Sequence, residues 1–293
     1  MGSSLTPPPS LLHHHHHNHH FTRRTLLLST TTTTLSLPSF PSLSSTTPTI
    51  TDRFFIDFSL CPNATNPART LGDTFSTLCS DSTLLGRVIL GLYGNLVPIT
   101  VSNFKSMCLS SNSNSNHSSS YKNTLVHKIF PGQYFLAGRQ GRPDKGEVRP
   151  PNELARNIET VDPNAFVLTH SRPGVVSLSL SENDDDEEIK LDPGYRNVEF
   201  LITTGPGPCP QLDNKNIVFG TVLEGLDVIT AIASIPTYKP SERIRQLNDL
   251  ADFFGDGRAQ NARTTWNKPL TTVYISGCGE LKVAKPSLPP SLP

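Results

Sequence analysis

The stretch from Leu125 to Gly141 reads LVHKIFPGQYFLAGRQG. Two short apolar runs, Leu125 to Phe130 and Gln133 to Ala137, meet at Pro131-Gly132. That pair is a turn signal, because proline presets φ and glycine tolerates the reversal after it. The stretch therefore reads as strand, turn, strand. His127 and Lys128 stand side by side in the first run, and the period-2 geometry of a strand sets them on opposite faces. One is then buried or paired, and the other can face a groove.

Working outward, Arg53 to Leu60 (RFFIDFSL) is an aromatic-rich run with strand character. A second apolar run, Leu85 to Tyr93, continues into GNLVPITVSNFKSMC, where Pro98 marks a helix start and Val101, Phe104 and Cys108 recur at helical spacing. Downstream, Ala165 to Thr169, Val175 to Leu180 and Val198 to Thr204 are short apolar runs, and Leu223 to Ile232 reads as an amphipathic helix. Ser241 to Phe254 (SERIRQLNDLADFF) offers a serine cap followed by Ile244, Leu247, Leu250, Ala251 and Phe254 at helical spacing. This extra helix is expected to pack on the domain, with a partner-docking face as the alternative.

Taken together these segments resemble the cyclophilins. Val126-His127-Lys128-Ile129-Phe130-Pro131-Gly132 is similar to the family's F-H-R-I-x-P-G. Val97, Pro98, Thr100, Asn103 and Phe104 stand in register with V-P-x-T-x-x-N-F, and Arg172 to Ser179 follows G-P-G-x-x-S-M-A. Gln211 to Gly220 matches W-L-D-G-x-H-V-V-F-G at Leu212, Asp213, Val218, Phe219 and Gly220, and Leu270 to Leu281 resembles the closing strand ending D-C-G-E-L. The resemblance implies a mainly β fold: a closed eight-stranded antiparallel β-barrel capped by two α-helices, here with an extra C-terminal helical insertion.

It also implies peptidyl-prolyl cis-trans isomerase activity on proline-containing peptide segments, with no cofactor and no metal. Lys128 occupies the position of the family's catalytic arginine. Phe200, Leu212, Tyr134, Gln211 and Asn216 fall at substrate-binding positions, with Phe200 matched to the phenylalanine of F-x-I-x-T that floors the proline pocket. Several polar groups of the family groove are replaced: its tryptophan by Gln211, its histidine by Asn216, one glutamine by Leu136, and the asparagine and glutamine of the groove loop by Leu180 and Val198. Weak turnover is the expectation, and a non-catalytic proline-binding or assembly module is the alternative.

Composition bounds the remaining choices. Lys+Arg and Asp+Glu both number 25, so the chain lacks the basic excess of an electrostatic nucleic-acid binder. No acidic residue precedes Asp52, and residues 1–50 are rich in serine, threonine, leucine and proline, the composition of a plastid transit segment. The chain divides into a cleaved address at 1–50, a folded domain at 51–281 and a loose proline-rich tail at 282–293. Chloroplast location follows, in stroma or thylakoid lumen, with plastid proteins as the substrates and a monomer as the expected state. The tract at His13 to His20 reads as low-complexity filler rather than a metal site. No run approaches the ~20 apolar residues of a membrane span.

Cys61, Cys79, Cys108, Cys209 and Cys278 form no C-x-x-C pair; they read as ordinary thiols, or as disulfides with one thiol left over. Asn183 to Glu188 (NDDDEE) is a solvated acidic loop or a selector of basic partners beside the groove. There is no G-x-S-x-G, Walker A or H-E-x-x-H motif, His127 and His170 show no nucleophile arrangement, and His127 reads as a structural histidine of the hairpin.

Overall fold

The computed structural model describes residues 48–61, 79, 81–110, 119–184 and 186–281. The address segment up to residue 47, the polar serine-asparagine loop at 111–118 and the tail at 282–293 lie outside the described residues. The elements in chain order are β1 (Asp52–Cys61), β2 (Thr83–Leu92), α1 (Pro98–Leu109), β3 (Val126–Phe130), β4 (Tyr134–Ala137), β5 (Val175–Ser179) and α2 (Glu187–Lys190). They continue with β6 (Phe200–Thr203), β7 (Asn216–Glu224), α3 (Leu226–Ala233), α4 (Glu242–Phe253), α5 (Gly257–Arg263) and β8 (Thr272–Leu281). The eight strands form one antiparallel sheet in the order β3-β4-β6-β5-β7-β2-β1-β8. Its two edges meet through a bridge between Leu125 and Tyr274, which brings the sheet close to a closed barrel.

Alternation along the strands builds the core. Phe54, Ile56 and Phe58 of β1 and Val88, Leu90 and Leu92 of β2 all point inward and are fully buried. The Phe104 ring enters from α1 and lies 5.0 to 5.6 Å, centroid to centroid, from Tyr121, Phe200 and Phe219. Proline opens α1, and its first turn is capped from a distance: the Glu159 carboxylate accepts from the Ile99 and Thr100 amides at 2.7 and 2.9 Å and from the Thr100 hydroxyl at 2.6 Å. A negative group here satisfies orphan amides and complements the helix dipole. α3 buries Val228, Ile229 and Ile232 against the same core.

Three features refine the sequence reading. Ile50, assigned by composition to the leading segment, is buried with Tyr93, Val175 and Val218, so ordered packing begins before residue 51. Four cysteines pair as Cys61–Cys79 and Cys108–Cys278, the second tying α1 to β8, while Cys209 stays a free buried thiol. The extra helix forms as α4 with Ser241 as its cap, but it does not pack its apolar stripe on the barrel. Instead α4 leans on α5 through polar groups and leaves Ile244, Leu247, Leu250, Phe253 and Phe254 exposed.

Candidate active site

β3 and β4 pair with an irregularity between Val126 and Lys128: two residues of β3 are set against one step of β4. Such a bulge re-aims side chains. Val126 and Ile129 fill the interior, and both His127 and Lys128 turn outward. The expectation that these two neighbours face opposite ways is therefore corrected by the bulge, which cancels one step of alternation.

Lys128 stands opposite Leu136, Leu136 opposite Leu201, and Leu201 opposite Ser177, a row running across β3, β4, β6 and β5 on the outer face. An apolar cluster is built on this row from Leu201, Cys209 and Leu212, with Tyr134 and Leu136 packed against it. Tyr134 is fixed by stacking on Phe130, ring centroids 4.5 Å apart. Burial, followed by the neighbouring Cys209 and Glu199, pushes its phenol up to about 12, so it remains a neutral donor.

Phe200 does not belong to this surface. It lies wholly inside the barrel against Phe104 and Tyr121, because β6 alternates and the outward position falls to its neighbour Leu201. The same one-residue shift sends Val198 into the core and brings Glu199 to the outer side, where its carboxylate meets His127. Every residue of Phe200-Leu201-Ile202-Thr203 is buried, so no exposed position marks which face is which.

The loop carrying Leu212 is stapled down by polar contacts. The His170 Nδ1 and backbone amide both meet the Asp213 carboxylate, at 2.7 and 2.8 Å, and His170 Nε2 meets the Ser177 hydroxyl at 2.7 Å. No local pattern announces this Ser-His-Asp chain. Its shape is that of a nucleophile relay, but Ser177 has no exposed surface at all, so no substrate carbonyl reaches it. The chain works as a clamp instead. Burial pushes the His170 imidazole down and Asp213 pulls it up, with a net value below the ordinary range. Asn216 adds a second clamp, accepting from the Leu180 amide at 3.4 Å and donating to the Leu212 carbonyl at 3.1 Å. Gln211 is exposed and donates to the Gln133 side chain at 3.1 Å.

Beside Lys128 lies a buried ionic group that residue types alone did not reveal. His127 Nε2 is 2.8 Å from the Glu199 carboxylate, whose side chain is 4% exposed. Glu182, fully buried, accepts from the amides of Gln140, Val198 and Glu199 at 2.6, 2.7 and 3.0 Å. Arg139 completes the group by bonding Asn183, which in turn donates to the Gln140 carbonyl. Burial and the adjacent Glu199 raise the Glu182 carboxyl to about 8. Burial also raises Glu199, but His127, Ser179 and Arg139 outweigh it and hold that carboxyl below its usual range. The acidic stretch behind it splits in role: Asn183 is buried structure, whereas Asp184 pairs with Lys190 near the surface. Among the described residues, no group of three His, Cys, Asp or Glu is placed to hold a metal ion.

The site thus joins Lys128, Tyr134, Leu212, Gln211 and Asn216 around one outer patch, adds Leu136, Leu201 and Cys209, and leaves Phe200 inside. The patch is a largely buried apolar cluster with half-buried Tyr134 and Leu136 at its surface and Lys128 at its edge. The sequence pattern of one family, described as cyclophilin type peptidyl-prolyl cis-trans isomerase/CLD, matches residues 77–249. A relative from Arabidopsis thaliana named peptidyl-prolyl cis-trans isomerase CYP28, chloroplastic, is 68% identical over 250 residues, covering 84% of this chain and 86% of the relative. Peptidyl-prolyl cis-trans isomerase D of Saccharomyces cerevisiae is 29% identical over 56% of this chain and 63% of its own length. Isomerase H of Mycosarcoma maydis is 28% identical over 56% of this chain and 98% of its own.

Proposed function

The chain belongs to the cyclophilin-type peptidyl-prolyl cis-trans isomerases, and from that premise we propose that it turns over X-Pro bonds at the outer patch, with Lys128 as the catalytic cation. The observation that carries this reading is the row Lys128, Leu136 and Leu201 beside the apolar cluster of Tyr134, Leu201, Cys209 and Leu212. An X-Pro bond resists rotation because its C–N bond has partial double-bond character, with a barrier of ~18–20 kcal/mol. At the twisted geometry conjugation is lost and the amide nitrogen gains lone-pair density. A cation held beside that nitrogen stabilises the twisted form more than either planar isomer, which is what lowers the barrier.

The pyrrolidine ring sits against half-buried Tyr134 and Leu136, with buried Leu201, Cys209 and Leu212 as the layer beneath them, and the two clamps through His170 and Asn216 hold Leu212 in place. This chemistry consumes no cofactor. Lys128 supplies charge but not the planar fork of donors that arginine has, so turnover is weak relative to a groove with arginine. Apolar Leu136 and Leu180, where polar groups stand in the family pattern, favour peptides with apolar residues around the proline.

Location in the chloroplast is supported by the acid-free leading segment and by the name of the Arabidopsis relative. Substrates are then proline-containing segments of plastid proteins, in stroma or lumen. Removal of the address before Ile50 leaves the packed domain whole, since Ile50 is already part of the core.

Exchange NMR on a peptide with a single X-Pro bond tests the proposal. The wild-type protein is expected to accelerate exchange, and Tyr134→Ala to lower kcat/KM mainly through weaker binding. A folded protein that gives no acceleration but still binds the peptide overturns the catalytic reading and leaves a proline-binding module.

A further inference from the structure

α4 carries an apolar stripe that the domain does not use. Leu247, Leu250 and Phe254 are 61%, 53% and 75% exposed, flanked by Ile244 and by Phe253 at 83%. The opposite side of α4 is occupied: Arg263 of α5 bonds Asp249 and Asp252 at 2.7 and 2.9 Å, and the Arg245 and Arg263 guanidiniums each lie 5.9 Å from the Trp266 ring. The helix is thus anchored through its polar face and displays its apolar one, the reverse of an ordinary surface helix.

The spacing of the stripe is the same in both directions. Arg243, Leu247, Leu250 and Phe254 succeed one another at steps of four, three and four residues, the spacing of a helix-pairing seam. An antiparallel copy laid along it sets Leu247 against the second copy's Leu250. It also sets exposed Arg243 over the second copy's Phe254 ring, at the helix end where the dipole favours a cation. Under a two-fold axis the Leu247–Leu250 and Arg243–Phe254 pairings each occur twice. A lipid surface fits less well, because the polar face of α4 mixes Glu242, Asp249 and Asp252 with its arginines and offers no basic belt.

We propose that the α4 stripe is an isologous contact through which two copies of this chain associate, antiparallel helix on helix. α4 is about 18 Å long, and one helix face covers less than the ~800 Å² per partner of a standard interface, so the dimer is weak and reversible.

Sedimentation velocity on the full chain, from about 1 to about 300 μM, spans the range in which so small a contact fills. The wild type is expected to shift from monomer to dimer mass across it. Leu247→Asp, at an exposed position, should keep the wild-type circular dichroism and melting temperature and remain monomeric throughout, and Arg243→Glu should weaken the dimer at least several-fold. A wild type that stays monomeric to the highest concentration overturns the proposal. So does a Leu247→Asp protein that dimerises as the wild type does, or a wild type that sediments with anionic vesicles instead of pairing with itself.

Discussion

Lys128 takes its place from the β3 bulge rather than from plain alternation, and it shares the outer face with His127 and Glu199. His127 is held by the single bond to Glu199, since its Nδ1 is buried with no partner among the described residues. Removing that carboxylate leaves an imidazole buried with neither nitrogen satisfied. Glu199→Ala is therefore expected to cost about 1–3 kcal/mol in urea unfolding, the range for leaving a buried polar group unsatisfied, and Glu199→Gln less, because an amide oxygen still accepts from Nε2. Two further groups set a pH profile. His170 is neutral in the fold below its ordinary value of 6.5, so the unfolded chain binds the extra proton and stability rises with pH toward 6.5. Glu182 is protonated in the fold up to about 8, from an ordinary 4.5; its contribution is fully present below 4.5 and lost as pH rises through 8. The two slopes oppose each other below 6.5, and Glu182 alone acts above it. Urea midpoints should then fall between pH 6.5 and 8 in the wild type and hold level in Glu182→Gln.

At the scale of elements, the central hairpin, α1, α3 and the helix at α4 are all legible, because each carries its own local signal: a Pro-Gly turn, a proline start, a serine cap, a helical period. The faces of β6 are not. Its four residues are all buried, on two different surfaces, so Phe200 and Leu201 exchange roles against the sequence expectation. The clamp from His170 to Asp213 and Ser177 also escapes, since its members lie 43 and 7 residues apart and meet only in the fold. α4 is legible as a helix but its packing on the barrel is not borne out, because an apolar stripe specifies a contact without naming the partner. Phe104 shows the opposite case, a motif residue whose role is purely structural: α1 uses it to fill the barrel among Phe54, Tyr121, Phe200 and Phe219. Phe104→Ala is expected to destabilise by about 3–5 kcal/mol in denaturant titration. Isomerase activity per folded molecule should change little, because the ring faces away from the outer patch.

For the whole molecule, barrel order and register turn separate motifs into one surface. β3, β4, β6 and β5 are neighbours in the sheet although α2 and long loops separate them in sequence, and that adjacency alone assembles the row ending at Lys128. The overall fold is readable because strands, turns and helices each satisfy a local rule that agrees with the same topology. The groove is half readable, since its apolar seat depends on which way single residues turn. The central claim is that Lys128 supplies the cation for barrier lowering. Its most direct test is kcat/KM for one X-Pro peptide measured with the wild type, Lys128→Ala and Lys128→Arg, all shown to be folded. A loss of roughly 10²-fold in Lys128→Ala, the scale of removing one transition-state donor, together with a gain above wild type in Lys128→Arg, is the predicted result. Equal rates for all three proteins would contradict it.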